Sequence, residues 1–452
     1  MPADGLSRGV VAAFRVQAAG TKAVLSSLSS VYQSKTARTI AIVATSNTAT
    51  MLLTMAGSLV QARYVGPTEM GVLRTFSIVS GYLAFLLMGV DNGLQREIPL
   101  RLGRAEPGKA NRAASACLAW IQFVSVVCGV SFCGLALRAA YYGQWLQVWG
   151  WLAYTPGIIA AFYGSYLNTT FRTGEQFVKL SKALAVGAIA GTVVLPTLPA
   201  MGYYGACLRT AAMSLASLFC LHRWRPMRVR ARLDWPAFWQ VIRIGLPIST
   251  IGYLGTAFWA SLEGTLVLAW FGTQALGLFA MAVFIRSVAG QFTHNMNQVL
   301  AVRVFQEYGR SGRVGDCRAL ISKPLTLALS ASLPMIIIGW FALPRLIVVF
   351  VPKYVDAITM MRAMLLTVPI SFLNLRMSVL QATGRRVEYL IAVMGGLVMF
   401  IGLSYLLYRL RIGILSVVIA SILGQGMNVV VAQVLILRLA RREERTVTTC
   451  VV

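Results

Sequence analysis

The chain has 452 residues, of which 57% are hydrophobic and only 12% are charged. A soluble protein of this length has too little interior to bury that much apolar surface. Apolar runs of about 20 residues, the length of a helix that crosses a bilayer, recur along the sequence, and they are continuous where a transmembrane β-barrel would alternate. The composition therefore excludes a soluble globular protein and predicts an all-α, polytopic membrane protein.

About twelve transmembrane helices in two six-helix lobes are expected. The first six spans are predicted at residues 40–62, 72–95, 113–137, 145–167, 178–200 and 203–222. The other six are predicted at residues 241–262, 265–300 (including a short turn near Gly272), 320–343, 355–382, 387–410 and 413–437. The chain then divides into a basic N-terminal segment, an N-lobe, a basic linker, a C-lobe and a tail, at residues 1–39, 40–222, 223–240, 241–437 and 438–452.

The distribution of charge predicts the orientation. The net charge is +27, from 41 Lys and Arg against 14 Asp and Glu. In a soluble chain such an excess would indicate nucleic acid, whereas in a membrane protein basic residues gather in the cytoplasmic loops. With the N-terminus inside, 30 of the basic residues lie in inner segments and six in outer loops. Both termini are therefore predicted to be cytoplasmic, and no nucleic-acid partner is expected.

A short connector between apolar spans occurs once in each half of the chain. Residues 62–76 read ARYVGPTEMGVLRTF, and residues 269–279 read AWFGTQALGLF. A shift of 206 residues superposes the glycines of the two connectors, so that Gly71 falls on Gly277. Two halves of six helices enter the membrane from the same side, which relates them by an axis along the membrane normal. This arrangement predicts an alternating-access transporter with a central cleft.

Four motifs together resemble those of one transporter family. ARYVGPTEMGVLRTF is similar to its A-R-x-x-G-P-x-x-x-G connector, and RIGLPIS (243–249) to the Gly-Leu-Pro that opens its helix seven. VVFVPKYVDA (348–357) resembles its step before helix ten, and LQATGRR (380–386) the cytoplasmic turn that follows. The family is the polysaccharide transporter branch, the Wzx-type oligosaccharide flippases, of the multidrug/oligosaccharidyl-lipid/polysaccharide (MOP) superfamily. The resemblance covers nearly the whole chain.

This resemblance implies a V-shaped fold of two lobes and a location in the bacterial inner membrane. It implies a flippase that moves undecaprenyl-diphosphate-linked oligosaccharide to the periplasmic leaflet for exopolysaccharide, O-antigen or capsule synthesis. The expected partners are this substrate, membrane lipids and a polysaccharide polymerase or export machinery, with the chain acting as a monomer. Three alternatives stay open: a lipid II-type flippase, a multidrug cation antiporter of the same superfamily, and a non-transporting partner of a polysaccharide synthase.

No enzymatic activity, cofactor or metal is expected. The sequence has no Walker motif, so the chain itself does not hydrolyse ATP. It also lacks the large outer loop or acidic catalytic pair typical of polysaccharide polymerases and lipid-linked glycosyltransferases. Transport would then draw on the membrane potential or on an antiported ion. Glu263 and Asp91 are the candidate ion-coupling carboxylates, because they are predicted within the membrane.

Five arginines lie within or at the edges of the predicted spans, namely Arg74, Arg209, Arg286, Arg362 and Arg376. An arginine near the bilayer centre costs about 2.5–3.5 kcal/mol to insert, so it normally faces a cavity or a partner. For Arg74 and Arg209, which are near helix starts, snorkelling to the interface is an equal alternative. Because intramembrane carboxylates are few, these arginines are expected to lack protein partners and to bind the pyrophosphate of a substrate.

In the family that the sequence resembles, helices one, two, seven and eight line the central cavity. This makes Arg286, and then Arg74, the leading candidates for binding substrate. Arg362 and Arg376 are fourteen residues apart, which is nearly four helical turns. They are expected on one face of helix ten, as two stations for a phosphate. Arg96 is expected to receive the headgroup on the cytoplasmic side.

Polar side chains are expected at the inner end of the cleft, from His294, Asn295, Asn297, Gln298 and Asn92. The repeat places Asp91 and Asn92 opposite Asn297 and Gln298, so both halves are polar at this depth. Hydrogen bonds that pack one helix on another are the first reading of these side chains. Contact with the sugar of a substrate is the alternative.

Overall fold

The computed structural model describes residues 35–311 and 313–451, and their regular structure is helical. The first half contains α1 (Lys35–Tyr64), α2 (Pro67–Gly103), α3 (Pro107–Tyr141), α4 (Trp145–Thr173), α5 (Phe177–Met201) and α6 (Tyr203–Arg223). The second half contains α7 (235–271), α8 (273–311), α9 (Val314–Phe350), α10 (Pro352–Gln381), α11 (Arg386–Arg409) and α12 (Leu415–Val451). Each predicted span therefore has a helix in its place.

The helices have the length and composition of membrane spans. Within the described ranges, nine segments are long and apolar enough to cross a membrane. One of these segments, Trp235–Val288, contains both α7 and the first part of α8. Helices α1 and α4, with 30 and 29 residues, also have membrane length. The predicted all-α, polytopic fold is confirmed.

The turn between α7 and α8 lies at Gly272. This glycine adopts φ +83°, a left-handed conformation that side chains with a Cβ rarely adopt. The predicted layout placed the turn inside span eight, which was wrong, since the turn separates two helices. The equivalent connector ends α1 at Tyr64 and begins α2 at Pro67, where proline fits the first helical position. Glu69 Oε2 accepts a hydrogen bond from Gly66 N at 3.0 Å there.

Several helices are broken within their length. A 3-10 turn at Ala84–Leu87 divides α2, and a π turn at Leu254–Phe258 interrupts α7. Another 3-10 turn, at Asn374–Arg376, interrupts α10. Residues Arg362 and Arg376 therefore do not lie along one regular helix, and their fourteen-residue spacing does not place them on a common face.

The two largest parts of the apolar core are centred one on each half of the chain. The first-half core is built from α2 to α6 and includes Phe132, Phe162, Tyr166 and Phe171. The second-half core includes Phe279, Tyr354, Met364 and Phe400. Each core also takes residues from the other half, Phe238 and Val241 in the first and Ala62 and Ile78 in the second. The two halves therefore interlock where α2, α7 and α8 meet.

An extended segment connects α6 to α7. Helix α7 begins at Trp235, earlier than the predicted start at residue 241. Asp234 Oδ1 accepts a hydrogen bond from Ala237 N at 3.2 Å, which is the usual role of an aspartate before a helix. Pro236 fits the first turn because it needs no backbone donor there.

Candidate functional site

The starts of α2 and α8 meet backbone to backbone, at the face predicted to be outside. A Cβ added at Gly71 would overlap the carbonyl oxygen of Thr273, and a Cβ added at Gly277 would overlap that of Pro67. Small residues let helices pack this closely in membranes. Under the shift of 206 residues Pro67 corresponds to Thr273 and Gly71 to Gly277. The two repeated connectors therefore form a reciprocal contact, which we call the outer junction.

The start of α10 adds two hydrogen bonds beside the outer junction. Lys353 Nζ donates to the carbonyl of Tyr64 at 2.9 Å. The hydroxyl of Tyr354, which is fully buried, donates to the carbonyl of Val65 at 3.1 Å. Both donors belong to the motif VVFVPKYVDA, and both acceptors belong to the ARYVGP connector. Two sequence motifs that are almost 300 residues apart thus close the same face of the protein.

A buried ion pair joins α7 to α8. Glu263 has an exposed fraction of 0%. Arg286 donates from Nη1 to Glu263 Oε1 at 2.6 Å and from Nη2 to Oε2 at 2.5 Å. Trp259 Nε1 donates to Oε1 at 2.8 Å, and the hydroxyl of Ser421 on α12 donates to the same oxygen. This carboxylate is fully partnered, as burial of a charge requires.

The ion pair corrects one expectation about Arg286. From the sequence, Arg286 is expected to be a cleft arginine without a protein carboxylate, available for the pyrophosphate of a substrate. In the structure both terminal nitrogens of Arg286 are bonded to Glu263. The expectation of a free guanidinium is therefore wrong, because the turn at Gly272 brings α7 and α8 side by side and supplies the missing carboxylate.

Arg74 lies near this ion pair. It interacts electrostatically with Glu263, Arg286 and Tyr154, which come from three other helices. Its Nε is buried and has no hydrogen-bond partner among the described residues. Tyr154 in turn contacts α2 through a hydrogen bond of 3.0 Å between its hydroxyl and that of Ser77. The structure thus brings together two predicted site arginines, Arg74 and Arg286, and the predicted coupling carboxylate.

A polar cavity of about 500 Å³ lies between α1 and α8. On the α1 side it is lined by Asn47, Thr50, Met51, Thr54, Met55 and Ser58. On the other sides it is lined by Phe284, Ser287 and Gln291 of α8, by Leu184 of α5 and by Arg172 of α4. Arg172 is the penultimate residue of α4, so the cavity reaches from the middle of the membrane toward the predicted cytoplasmic end. We call it the α1/α8 cavity.

Sequence reasoning did not identify the α1 wall of this cavity. Its residues recur at three- and four-residue intervals, the spacing of one helical face, and they include two threonines, a serine and an asparagine in an otherwise apolar span. That polar stripe was a readable signal. Among the described residues, Arg172 is the one charged residue that lines the cavity, and it also interacts electrostatically with Asp91.

Arg209 is buried, with an exposed fraction of 6%. It donates from Nη1 to Gln61 Oε1 at 2.7 Å and from Nη2 to the carbonyl of Thr54 at 3.3 Å, both on α1. The snorkelling alternative is therefore wrong for this residue. A glutamine and an arginine in two otherwise apolar spans could have indicated the pair, since intramembrane polar side chains usually bond to each other.

Three other predicted cations lie away from this cluster. Arg362 donates from Nε to the carbonyl of Trp340 at 3.1 Å, and its guanidinium is 5.2 Å from the ring centre of that tryptophan on α9. Arg376 donates to Gln433 Oε1 on α12 at 2.5 Å. Arg96 is exposed on the inner part of α2. Arg362 and Arg376 therefore bond to different helices, and phosphate binding by either stays a prediction.

The remaining polar predictions have mixed outcomes. Asp91 accepts a hydrogen bond from the hydroxyl of Ser165 on α4, and its buried Oδ1 has no partner among the described residues. Asn92 is exposed. Asn297 is half-buried on α8, and its Oδ1 also has no described partner. The side chains of His294, Asn295 and Gln298 lie outside the described residues.

The inner part of α2 and the start of α7 make a second close contact. A Cβ added at Gly245 would overlap the carbonyl oxygen of Gly89. Nearby, Arg101 donates to Glu97 Oε1 at 2.6 Å and to Gln240 Oε1 at 2.8 Å. A buried guanidinium thus ties α2 to α7. We call this contact the inner junction.

Comparisons with known proteins agree with the observed fold. No protein family model matches the chain. The probable multidrug resistance protein NorM of Mesorhizobium japonicum is 26% identical over 254 residues, which cover 53% of this chain and 52% of the relative. The protein of that name from Bradyrhizobium diazoefficiens is 29% identical over 161 residues, which cover 33% of this chain and 34% of the relative. The chain spans about half the length, or less, of the curated relatives it matches.

Solved structures match over most of the chain. The inward-facing conformation of a multidrug resistance MATE family transporter of the MOP superfamily has a TM-score of 0.71 at 17% identity, covering 86% of this chain and 96% of that one. Its outward-facing counterpart scores 0.64 at 17% identity, covering 92% and 98%. A MOP superfamily transporter from Pyrococcus furiosus, whose binding pocket of reverse polarity suggests a different function, scores 0.65 at 18% identity, covering 89% and 95%.

These relatives are transporters, in agreement with the prediction of a transporter and not an enzyme. The multi-pass helical architecture agrees with the predicted location in the bacterial inner membrane. The relatives do not confirm the polysaccharide transporter branch that the motifs resemble. At identities of 17–18% the structural likeness shows the fold. The chain therefore has the transporter fold of the MOP superfamily, in the form found in MATE proteins.

Proposed function

We propose that the chain is an exporter that opens alternately to the two sides of the membrane. The contrast between the outer junction and the α1/α8 cavity carries this proposal. Gly71 and Gly277 hold α2 against α8 at the outer face, and two hydrogen bonds from α10 lie beside them. Further in, a cavity of about 500 Å³ separates α8 from α1. A cavity closed on one side of the membrane is the geometry that alternating access requires.

The substrate that we propose is a drug-sized amphiphilic organic compound. The curated relatives are named probable multidrug resistance proteins, which favours the multidrug alternative over export of a lipid-linked oligosaccharide. The volume of the α1/α8 cavity falls within the range of about 300–1,000 Å³ that is usual for small-molecule sites. Met51, Met55 and Phe284 supply apolar contacts beside polar groups, and methionine adapts to ligands of different shape.

An anionic, lipid-linked substrate is the second candidate, and one observation favours it. The charge of the central region is positive, because Arg286 neutralises Glu263 while Arg74 and Arg172 add two further cations. An excess of guanidinium groups attracts a phosphate and repels a cationic drug. The half-buried Asp91 near Arg172 offsets part of this excess. A polysaccharide polymerase or export machinery as partner belongs to this candidate alone.

Ion coupling at Glu263 remains part of the proposal. Both oxygens of this carboxylate are bonded in the structure, so a coupling ion or proton has to displace Arg286 or Ser421. Such an exchange would release α8 from α7 and α12, which are the helices that the carboxylate connects. Unchanged export by Glu263→Gln across a series of pH values would remove this residue from the coupling mechanism.

Drug accumulation in a sensitive bacterial host that lacks its major efflux pumps tests the proposed function. We expect cells that express the chain to accumulate less ethidium than cells that express Gly277→Leu, in which the outer junction cannot form. Gly134→Leu is the matched control, because a side chain at Gly134 meets nothing within 4 Å. Equal ethidium accumulation in all strains would contradict drug export. Build-up of lipid-linked oligosaccharide on the cytoplasmic leaflet of a deletion strain would instead support the second candidate.

A further inference from the structure

The linker between α6 and α7 presents a row of arginines at the predicted cytoplasmic face. Arg228, Arg230 and Arg232 are exposed, while Met227 and Val229 pack against the first-half core. The alternation of basic and apolar residues gives the linker one side that binds the protein and one that faces outward.

The linker is fixed to α3 by hydrogen bonds on both sides of one serine. The hydroxyl of Ser115 donates to the carbonyl of Arg230, and Arg232 N donates to the carbonyl of Ser115 at 3.4 Å. A cavity of about 790 Å³ lies between the linker and α3, and we call it the linker cavity. It is lined by Asn111, Arg112, Ser115, Val229, Arg230, Ala231, Arg232 and Asp234.

The basic side chains of the linker cavity have no side-chain partner among the described residues. Arg112, Arg230 and Arg232 form no side-chain hydrogen bond or ion pair with the residues that the structure describes. A second cavity of about 460 Å³ shares Arg112 and Asp234 with the first and adds Arg104. Guanidinium groups therefore line two neighbouring cavities that share residues, and we call the two together the recess.

The acidic residues that line the recess already have partners within the protein. Asp234 Oδ1 accepts from the backbone of α7, as described above. Glu97 is paired with Arg101 at 2.6 Å, and Glu106 with Lys109 at 2.9 Å. The hydrogen bond from Lys109 holds the pKa of Glu106 below its usual value, so this pair stays charged and internally neutral. The recess thus keeps an excess of positive charge.

Exposed aromatic residues flank the recess. Trp235 and Trp239 lie one helical turn apart on α7, with exposed fractions of 56% and 54%, and Leu233 beside them has 67%. Tryptophans in this arrangement occupy the headgroup level of a bilayer, where an apolar ring meets water. The recess therefore lies at the depth of the phosphate groups of the cytoplasmic leaflet.

We propose that the linker cavity binds the phosphate headgroup of an anionic membrane phospholipid. Arg112 comes from α3, while Arg230 and Arg232 come from the linker, so the headgroup would join α3 to the segment that leads from the first half of the chain into the second. Basic recesses of this kind at the cytoplasmic side bind anionic headgroups, each cation contributing to attraction. This lipid is a resident partner and not the transported substrate, so the inference does not depend on the proposed function.

Lipid retention by the purified full-length chain tests this inference. The triple variant Arg112→Gln, Arg230→Gln, Arg232→Gln is compared with Arg318→Gln, Lys323→Gln, Arg438→Gln, which removes three exposed cations from predicted inner ends of the second half. A third variant changes the same three linker-cavity arginines to lysine and keeps their charge. Native mass spectrometry then counts bound lipids after incubation with phosphatidylglycerol or phosphatidylcholine, and circular dichroism confirms that every variant is folded.

We expect the wild type and the lysine variant to retain phosphatidylglycerol in preference to phosphatidylcholine. The glutamine variant of the linker cavity should lose at least about tenfold in apparent affinity for phosphatidylglycerol, while the control triple variant keeps it. An equal loss in both triple variants would overturn the inference, because it would show diffuse attraction to basic loops. Displacement of the lipid by millimolar glycerol 1-phosphate would also overturn it, because the recess would then recognise a free phosphate compound.

Discussion

Helix α8 packs against the first half of the chain differently at its start and toward its middle. At its start, Gly277 and Gly71 let the backbone of α8 lie directly against α2. Toward its middle, Ser287 and Gln291 face α1 across a cavity of about 500 Å³. Helix α8 is thus in close contact with the first half at its start and separated from it toward its middle. Residue size at the contact determines which end closes, because helices without side chains between them approach most closely.

The repeat explains why α2 and α7 make a close contact on the inner side whereas the equivalent pair, α8 and α1, does not. The inner junction joins α2 to α7 through Gly89 and Gly245. Under the shift of 206 residues, the equivalent positions on α8 and α1 are Asn295 and Thr39. Neither is a glycine, so the pair α1 and α8 lacks the residues that allow such a close approach. The α1/α8 cavity lies between these two helices.

The largest expected effect is that of Arg286→Ala, which breaks the tie between α8, α7 and α12. The substitution leaves Glu263 buried without a counter-charge, and such a loss costs about 3–5 kcal/mol. Thermal unfolding in detergent measures it, with Arg96→Ala at an exposed position as the control. Unfolding at the same temperature in both variants would contradict the pairing. The double variant Glu263→Gln, Arg286→Gln should recover most of the lost stability.

Gly277→Ala attacks the outer junction alone. The added methyl group overlaps the carbonyl of Pro67, and overpacking of this kind costs about 1–3 kcal/mol. We expect lower thermal stability and, for a single cysteine introduced into a connector, faster reaction with a water-soluble cysteine reagent added from outside. Gly134→Ala, which meets nothing within 4 Å, should resemble the wild type. If the two alanine variants behave alike, the outer junction does not hold the outer face closed.

Gly245→Ala disrupts the inner junction and tests whether the two junctions close opposite sides of the protein. Its methyl group overlaps the carbonyl of Gly89, which lies beside the break in α2 and so has some freedom to shift. The expected cost is therefore smaller, about 1 kcal/mol. A single cysteine introduced at the inner junction should become accessible to the reagent from the cytoplasmic side, opposite to the effect of Gly277→Ala. Gain of access from the same side in both variants would refute the distinction between the two junctions.

Tyr354→Phe should have the smallest effect. It removes the hydrogen bond to Val65 but keeps the aromatic packing of this buried residue. Hydrogen bonds between membrane helices are worth about 0.6 kcal/mol on average, so a small decrease in unfolding temperature is expected. Tyr141→Phe, at a position with 86% of the side chain exposed, is the matched control and should leave the temperature unchanged.

The sequence was sufficient for the helices and for the two repeated connectors, but not for the contact between them that forms the outer junction. Long apolar runs determine the spans directly, and Gly71 and Gly277 stand out because they recur at the same place in both halves. The turn at Gly272 was visible for the same reason, but the hydropathy of the residues around it is continuous. Composition alone therefore placed that turn inside a span.

The ion pair was missed because its prediction depends on this turn. With the turn at Gly272, Glu263 lies nine residues before it and Arg286 fourteen residues after it. The difference in depth along antiparallel helices is then about 7 Å, which the long side chain of an arginine can span. The contacts of Arg362 and Arg376 were not predictable in this way, because they depend on irregular turns within α10.

Labelling of Ser287→Cys, in a background without the natural cysteines, tests the central claim most directly. Ser287 lines the α1/α8 cavity, and Tyr142→Cys at the predicted outer face is the control for sidedness. A membrane-impermeant maleimide should label Ser287→Cys in inverted vesicles and not in right-side-out vesicles, with the opposite result for Tyr142→Cys. Adding Gly277→Ala should make Ser287→Cys accessible from outside as well. Equal labelling of Ser287→Cys from both sides, without Gly277→Ala, would contradict a cavity closed by the outer junction.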